Sequence, residues 1–171
     1  MRKVILPLLL ILLFVGESVF VELLPADIFE GKYILVPRFL LIALLFLTLY
    51  GPNRYGLIYS LIFGLLFDVV YTGIIGIYLF MFPIVAYLIS KLMKILQTNI
   101  FMVSFACLFG AAILEIGVYE MNFLIHKTDM NFSNYLSSRL WPTLILNLGF
   151  IILTVYPFKK HFSKLTESLE T

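Results

Sequence analysis

Apolar runs interrupted by a few polar positions set the plan of this chain. Residues 4–24, 36–50, 55–70, 74–92, 100–119 and 140–158 are strongly apolar, with only scattered charges. A bilayer-spanning helix takes roughly 20 residues. The pattern therefore predicts an all-α bundle of six transmembrane helices, with short connections that use up the length. The punctuation agrees. Pro25 stops the first run, and Pro37 suits the first turn of the second, where its missing N–H is not needed. Gly51-Pro52-Asn53 and Tyr71-Thr72-Gly73 read as tight turns, and Pro83 is expected to kink the fourth helix. The longest connection, residues 121–138, carries most of the loop polarity. Residues 159–171 read as a polar tail in frayed helical form. A single integral membrane domain over 1–171 is expected.

Arg2 and Lys3, with Gly16-Glu17-Ser18 further on, give the first run some likeness to a secretory signal. The apolar pattern resumes at Val19 and five more runs follow, so a retained helix is the better reading.

Composition strengthens the membrane assignment. The 171 residues are 62% hydrophobic and 13% charged, with mean hydropathy +1.06. A soluble domain carries about 25% charged residues. Net charge is +2, without a basic patch interleaved with aromatics, so nucleic acid is not an expected partner. Cys107, the sole cysteine, lies in mid-run and reads as a small apolar filler. Orientation follows from Lys and Arg. With the N-terminus inside, Arg2, Lys3, Arg54, Lys91, Lys94, Lys159, Lys160 and Lys164 face the cytoplasm, against Lys32, Arg38, Lys127 and Arg139 outside. The positive-inside rule then places both termini in the cytoplasm. Glu22, Asp27, Glu30 and Asp129 fall on the outer side.

Charges within the apolar runs are the candidate functional groups. Each costs at least about 2.5–3.5 kcal/mol in the bilayer, so it faces the protein interior, a wet cavity or a partner. Glu17, Asp68, Glu115 and Glu120 all fall in the outer part of their segments, and Arg38 and Arg139 open the second and sixth. The expectation is one outer charged layer of Glu17, Arg38, Asp68, Glu115 and Arg139. The plainer account of it is structural ion pairing, for which arginine is suited by its bidentate grip on carboxylates. The sharper account is a docking or binding layer.

Helix packing leaves a second mark. Gly56, Ser60 and Gly64 recur every four residues, with Asp68 next, so all share one helix face. Such small faces permit close helix approach in membranes. Segment three is thus expected at the centre of the bundle. Gly110 and Ala111, ahead of Glu115, suggest segment five as its neighbour. Gly73 and Gly76 read as packing glycines at the start of the fourth helix.

Nothing in the spacing points to catalysis, a metal or a cofactor. His126 and His161 fall on opposite sides in this topology, and neither HExxH nor CxxC is present. Two carboxylates can do acid–base work, but no nucleophile accompanies them.

Several local motifs occur in a telling order: Glu17-Ser18-Val19-Phe20, then Pro37-Arg38-Phe39-Leu40-Leu41, then Phe63-Gly64-Leu65-Leu66-Phe67-Asp68 followed by Gly73 and Gly76, then Glu115, then Arg139-Leu140-Trp141-Pro142-Thr143. Over its whole length the chain resembles the MreD family of rod shape-determining proteins, in its Bacillus-type form. The resemblance implies a non-enzymatic subunit of the cell-elongation machinery, acting on peptidoglycan synthesis through association with the bitopic protein MreC. The actin-like MreB and the RodA–penicillin-binding protein synthase are implied as direct or indirect partners, with membrane lipids around the bundle and self-association left open. It also implies a six-helix fold like that of the substrate-binding membrane subunits of energy-coupling-factor transporters. The rival function is a small-molecule or lipid-binding transporter subunit, with a wet pocket lined by Glu17, Asp68 and Glu115. A third, lipid II handling, rests only on the company the family keeps.

Overall fold

The computed structural model describes residues 2–23, 32–96 and 99–170, and side chains of residues 5–23, 32–96 and 99–167. Leu24, Pro25, Asp27 and Glu30 lie outside the described residues. The regular elements among the described residues are all helices: α1 (Arg2–Leu23), α2 (Phe39–Tyr50), α3 (Asn53–Phe67), α4 (Ile77–Ile95), α5 (Ile100–Leu124), the single turn α6 (Phe132–Tyr135) and α7 (Trp141–Glu170). A π-helical turn, Asp68–Thr72, extends α3, and a second, Leu136–Leu140, joins α6 to α7.

Five of these stretches are long and apolar enough to cross a membrane: Ile5–Leu23, Asn53–Thr72, Ile77–Ile95, Ile100–Leu124 and Phe132–Glu167. The expected second span is different in kind. At 12 residues, α2 rises about 18 Å, well short of a hydrocarbon core of about 30 Å. A non-helical segment, residues 32–38, brings the chain to it.

α2 is the core of the bundle. Leu40, Leu41, Ile42, Ala43, Leu44, Leu45, Phe46 and Leu47 are all 0% exposed. A helix that is apolar all round buries on every side, and α2 packs against α1, α3, α4, α5 and α7. This corrects the expectation that segment three is central with segment five beside it. α3 sits at the edge with Ile58, Leu61 and Ile62 exposed, and it packs on α2 and α4. α5 packs on α2, α4 and α7, and its Gly110 abuts Leu45 of α2 together with Val85 and Ile89 of α4. The small-residue series reports close approach along one stripe. Centrality is reported instead by the absence of any polar face.

The stripe itself has a physical cause. A Cβ on Gly56 would strike Thr48 of α2, and one on Gly64 would strike the Tyr78 carbonyl of α4. Between them Ser60 is buried, its hydroxyl donating to the Gly56 carbonyl at 2.7 Å. α3 is thus pressed onto two neighbours at different heights. Gly73 and Gly76 do other work than packing. They lie in the left-handed region with φ 66° and 127°, and a Cβ at Gly73 would meet nothing within 4 Å. They make the turn that delays the start of α4 to Ile77.

Two further boundaries move. The long connection expected over 121–138 shrinks, because α5 runs to Leu124 and α6 begins at Phe132. Residues 159–170 of the tail continue α7. Phe158, Phe162 and Leu165 recur at helical spacing and are buried, and the Thr166 hydroxyl donates to the Tyr50 carbonyl at 3.2 Å.

Gly64→Ala is expected to destabilise the protein by about 1–3 kcal/mol through overpacking against α4 backbone. Gly73→Ala meets no neighbour and incurs only the left-handed penalty, about 1–2 kcal/mol. Thermal unfolding in detergent should rank Gly64→Ala as the less stable of the two; the opposite order contradicts the contact.

Candidate functional site

The charged residues gather where the non-helical segment 32–38 enters α2. That segment carries backbone groups without helical partners, and inside a membrane the protein must supply them. α7 and the turn before it do so. Ile34 N–H donates to the Ser138 carbonyl at 2.8 Å, and Val36 N–H donates to the Thr143 hydroxyl at 3.2 Å. Asn147 completes the set. Its Nδ2 donates to the Val36 carbonyl at 3.0 Å, and its Oδ1 accepts from Arg38 N–H at 2.8 Å.

Arg38 then turns its side chain into the bundle, where it is 2% exposed. Its Nε donates to Glu115 Oε1 at 2.6 Å and its Nη2 donates to the Tyr78 hydroxyl at 2.9 Å. The guanidinium also lies over the rings of Tyr78 and Phe67, 5.2 and 5.8 Å from their centroids. Glu115, on α5, is fully buried. Its Oε2 accepts from Arg139 Nε at 3.2 Å and lies 3.2 Å from the Tyr135 hydroxyl, which donates to the Glu115 carbonyl at 2.8 Å. One carboxylate therefore holds two arginines, linking α2, α5 and the π turn before α7. Arg139 is the open member of the trio, with 31% of its side chain exposed.

Glu17 and Asp68 serve a different purpose. The first N–H groups of a helix lack intrahelical partners and attract negative charge. Glu17 reaches from α1 to accept from Leu40 N–H at 2.8 Å, at the start of α2. Asp68 accepts from the N–H groups of Gly76, Tyr78 and Leu79 at 2.8, 2.9 and 3.0 Å, at the start of α4. The five-residue layer thus divides into one ion trio, Arg38–Glu115–Arg139, and two carboxylates that close helix ends. The ion pairs Arg38–Glu115 and Arg139–Glu115 make up that trio. Glu120 is exposed and stands apart from it.

Tyr78, Tyr135 and Asn147 complete the site without standing out in the sequence, together with Thr143, which the sequence offers only as the end of the Arg139-Leu140-Trp141-Pro142-Thr143 motif. For two of them a signal existed. Arg139, Thr143 and Asn147 recur every four residues, from the π turn into the first turns of α7. The tyrosines had none, since aromatic rings are common near membrane interfaces. Both π turns lie at this end of the bundle, one opening with Asp68 and the other carrying Arg139. π turns are frequent at functional sites.

A cleft of about 400 Å³ opens beside the trio, with Glu17, Glu22, Arg38, Tyr71, Tyr78 and Arg139 among its lining residues. Of the three acids expected in a wet pocket, only Glu17 lines it; Asp68 and Glu115 are turned inward onto backbone and arginine.

Glu115→Leu leaves Arg38 buried without its counter-charge, which is expected to cost about 3–5 kcal/mol. The double variant Arg38→Met/Glu115→Leu should recover most of that loss, because the buried charges leave together. Equal loss in the single and double variants, measured as detergent melting midpoints, would show that packing rather than charge pairing governs this site.

The family model described as rod shape-determining protein MreD matches residues 2–165. The rod shape-determining protein MreD of Bacillus subtilis (strain 168) is 35% identical over 169 residues, covering 99% of this chain and 98% of that protein. The cell shape-determining protein MreD of Streptococcus pneumoniae (strain ATCC BAA-255 / R6) is 28% identical over 128 residues, covering 75% of this chain and 78% of that protein. No solved structure matches this chain. With a family match along nearly its whole length and five helices able to cross a membrane, this multi-pass membrane protein belongs to the MreD family of rod shape-determining proteins.

Proposed function

We propose that the chain is a non-enzymatic scaffold of the cell-elongation machinery, required for rod shape, that docks MreC and so couples cytoplasmic filaments to external peptidoglycan synthesis. The observation that carries this reading is the placement of buried charge. Among the described residues the buried charged side chains are Glu17, Arg38, Asp68 and Glu115, all gathered around the entry to α2 and the start of α4. A relay for protons or solutes needs polar groups at successive depths. A single layer closed on itself by hydrogen bonds supports a firm end face instead. Family membership supports the shape-determining role.

In this reading both termini are cytoplasmic and the Arg38 end faces outward. Arg139, half in and half out of the ion trio, stands at the docking face for the transmembrane helix and external region of MreC. The opposite end presents exposed Arg54, Lys91, Lys94, Lys159 and Lys160, which suits anionic lipid headgroups and filament-associated proteins such as MreB.

Arg139→Ala is expected to reduce co-purification with MreC about fivefold or more, on the scale of a truncated interface arginine, while the melting midpoint stays near that of the parent. An unchanged complex yield would overturn the assignment of this face. Asp68→Ala is the contrasting variant. It uncaps α4, so its complex yield should fall only in step with its folded fraction.

A further inference from the structure

The end of the bundle opposite the ion trio is basic, and an apolar groove leads up from it between α3 and α4. The two helices run antiparallel and are joined at two levels. Toward the trio, Gly64 lies against the Tyr78 carbonyl. At the other end, Asn53 Nδ2 donates to the Ser90 hydroxyl. Between these contacts the outer side of the pair forms a groove of about 460 Å³, with Ile58 and Leu61 on one wall and Pro83, Ile84, Tyr87 and Leu88 on the other. Apart from the proline these side chains are between 46% and 54% exposed. In a bilayer the medium they meet is lipid.

Two cations stand at the mouth of this groove. The Asn53–Ser90 bond fixes the level, and Arg54 and Lys91 are the next residue on each helix. Arg54, Ile58 and Leu61 recur at helical spacing, as do Ile84, Leu88 and Lys91, so each cation shares a face with its groove wall. The Lys91 ammonium lies 5.5 Å from the ring centroid of Tyr87, itself a lining residue. Exposed Lys94 follows one turn on. No acid offsets them. Between residues 31 and 114 the sequence has a single acid, Asp68, and it closes the far end of α4. Glu167 and Glu170 belong to α7, which packs on α1, α2 and α5.

Shape and charge together select the occupant. From Leu57 to Leu61 the lining rises about 6 Å, and from Pro83 to Leu88 about 8 Å. A helix is roughly 10–12 Å across, wider than this stretch is long, so it has no seat here. A hydrocarbon chain does. At the mouth, Arg54, Lys91 and Lys94 without a carboxylate favour a headgroup of net negative charge and repel the ammonium of a zwitterionic one.

We propose that the α3–α4 groove is a binding site for one anionic phospholipid of the phosphatidylglycerol type, with an acyl chain in the groove and its phosphate held by Arg54 and Lys91. This deepens the reading of that end as a surface suited to anionic lipid, and it rests on the cytoplasmic orientation of that end only for placing the lipid in the inner leaflet.

The test uses the full chain reconstituted in nanodiscs of equal phosphatidylglycerol and phosphatidylethanolamine, then released into mild detergent, with retained lipid read by native mass spectrometry. Retention should favour phosphatidylglycerol by about threefold or more, a scale set by exposed ion pairs. The double variant Arg54→Gln/Lys91→Gln should take that preference most of the way to parity. Lys159→Gln/Lys160→Gln removes the same charge from α7, where Lys159 lies over Tyr50 of α2, and should leave the preference near that of the parent. Ile84→Trp fills the groove and should bring retained lipid to the level of non-specific adducts. Leu61→Trp, on the facing wall, gives the same readout should the first variant fail to fold. Equal or greater retention of phosphatidylethanolamine by the parent overturns the headgroup assignment. An equal fall in the two glutamine variants, undiminished retention in a folded groove-filling variant, or no retained lipid in the parent overturns the site. Both leaflets of the nanodisc hold the same lipids and MreC is absent, so a negative result leaves the orientation and the docking of MreC standing.

Discussion

A backbone that leaves helical geometry inside a membrane must find its hydrogen bonds within the protein. That constraint organises one end of this bundle. The central helix is too short to carry the chain across alone, so non-helical residues lead into it, and their N–H and C=O groups need partners. Thr143, Asn147 and the Ser138 carbonyl supply them from the α7 side, Glu17 closes the first turn of α2 from α1, and Arg38, fixed by its own N–H, is aimed at Glu115. The buried ion trio is thus a consequence of how α2 is entered. Charge that would be costly in lipid becomes tolerable because each member is already held by a neighbour with its own structural task.

Much of this was legible in the sequence, for reasons that differ by residue. Helix positions follow from apolar runs, and the gathering of Glu17, Arg38, Asp68, Glu115 and Arg139 at one end follows from their depth in those runs. What depth alone does not reveal is direction. Asp68 and Glu17 stand at the right height to pair with arginine, yet both point to the start of a neighbouring helix, because unpaired N–H groups compete for a carboxylate as effectively as a cation does. The centre of the bundle departs from the sequence expectation for a related reason. Small residues on α3 mark where two backbones approach, whereas α2 carries large aliphatic residues and no polar face, the pattern of a helix surrounded on all sides.

The turn glycines teach a similar lesson. Gly56 and Gly64 are small because a neighbour is close; Gly73 is small because its φ is positive and nothing is close. Spacing in the sequence separates the first pair, which continue a four-residue series, from the second, which follow directly on a turn signal. The polar tail is explained by the other half of the same logic, since Phe158, Phe162 and Leu165 maintain a buried face among the lysines.

The staple between Arg38 and Asn147 joins positions 109 residues apart. During synthesis at about 5–20 residues per second, the entry to the central helix therefore waits roughly 5–20 s before the side chain that completes it emerges. The innermost helix of the finished protein is thus completed only by the last helix to be made.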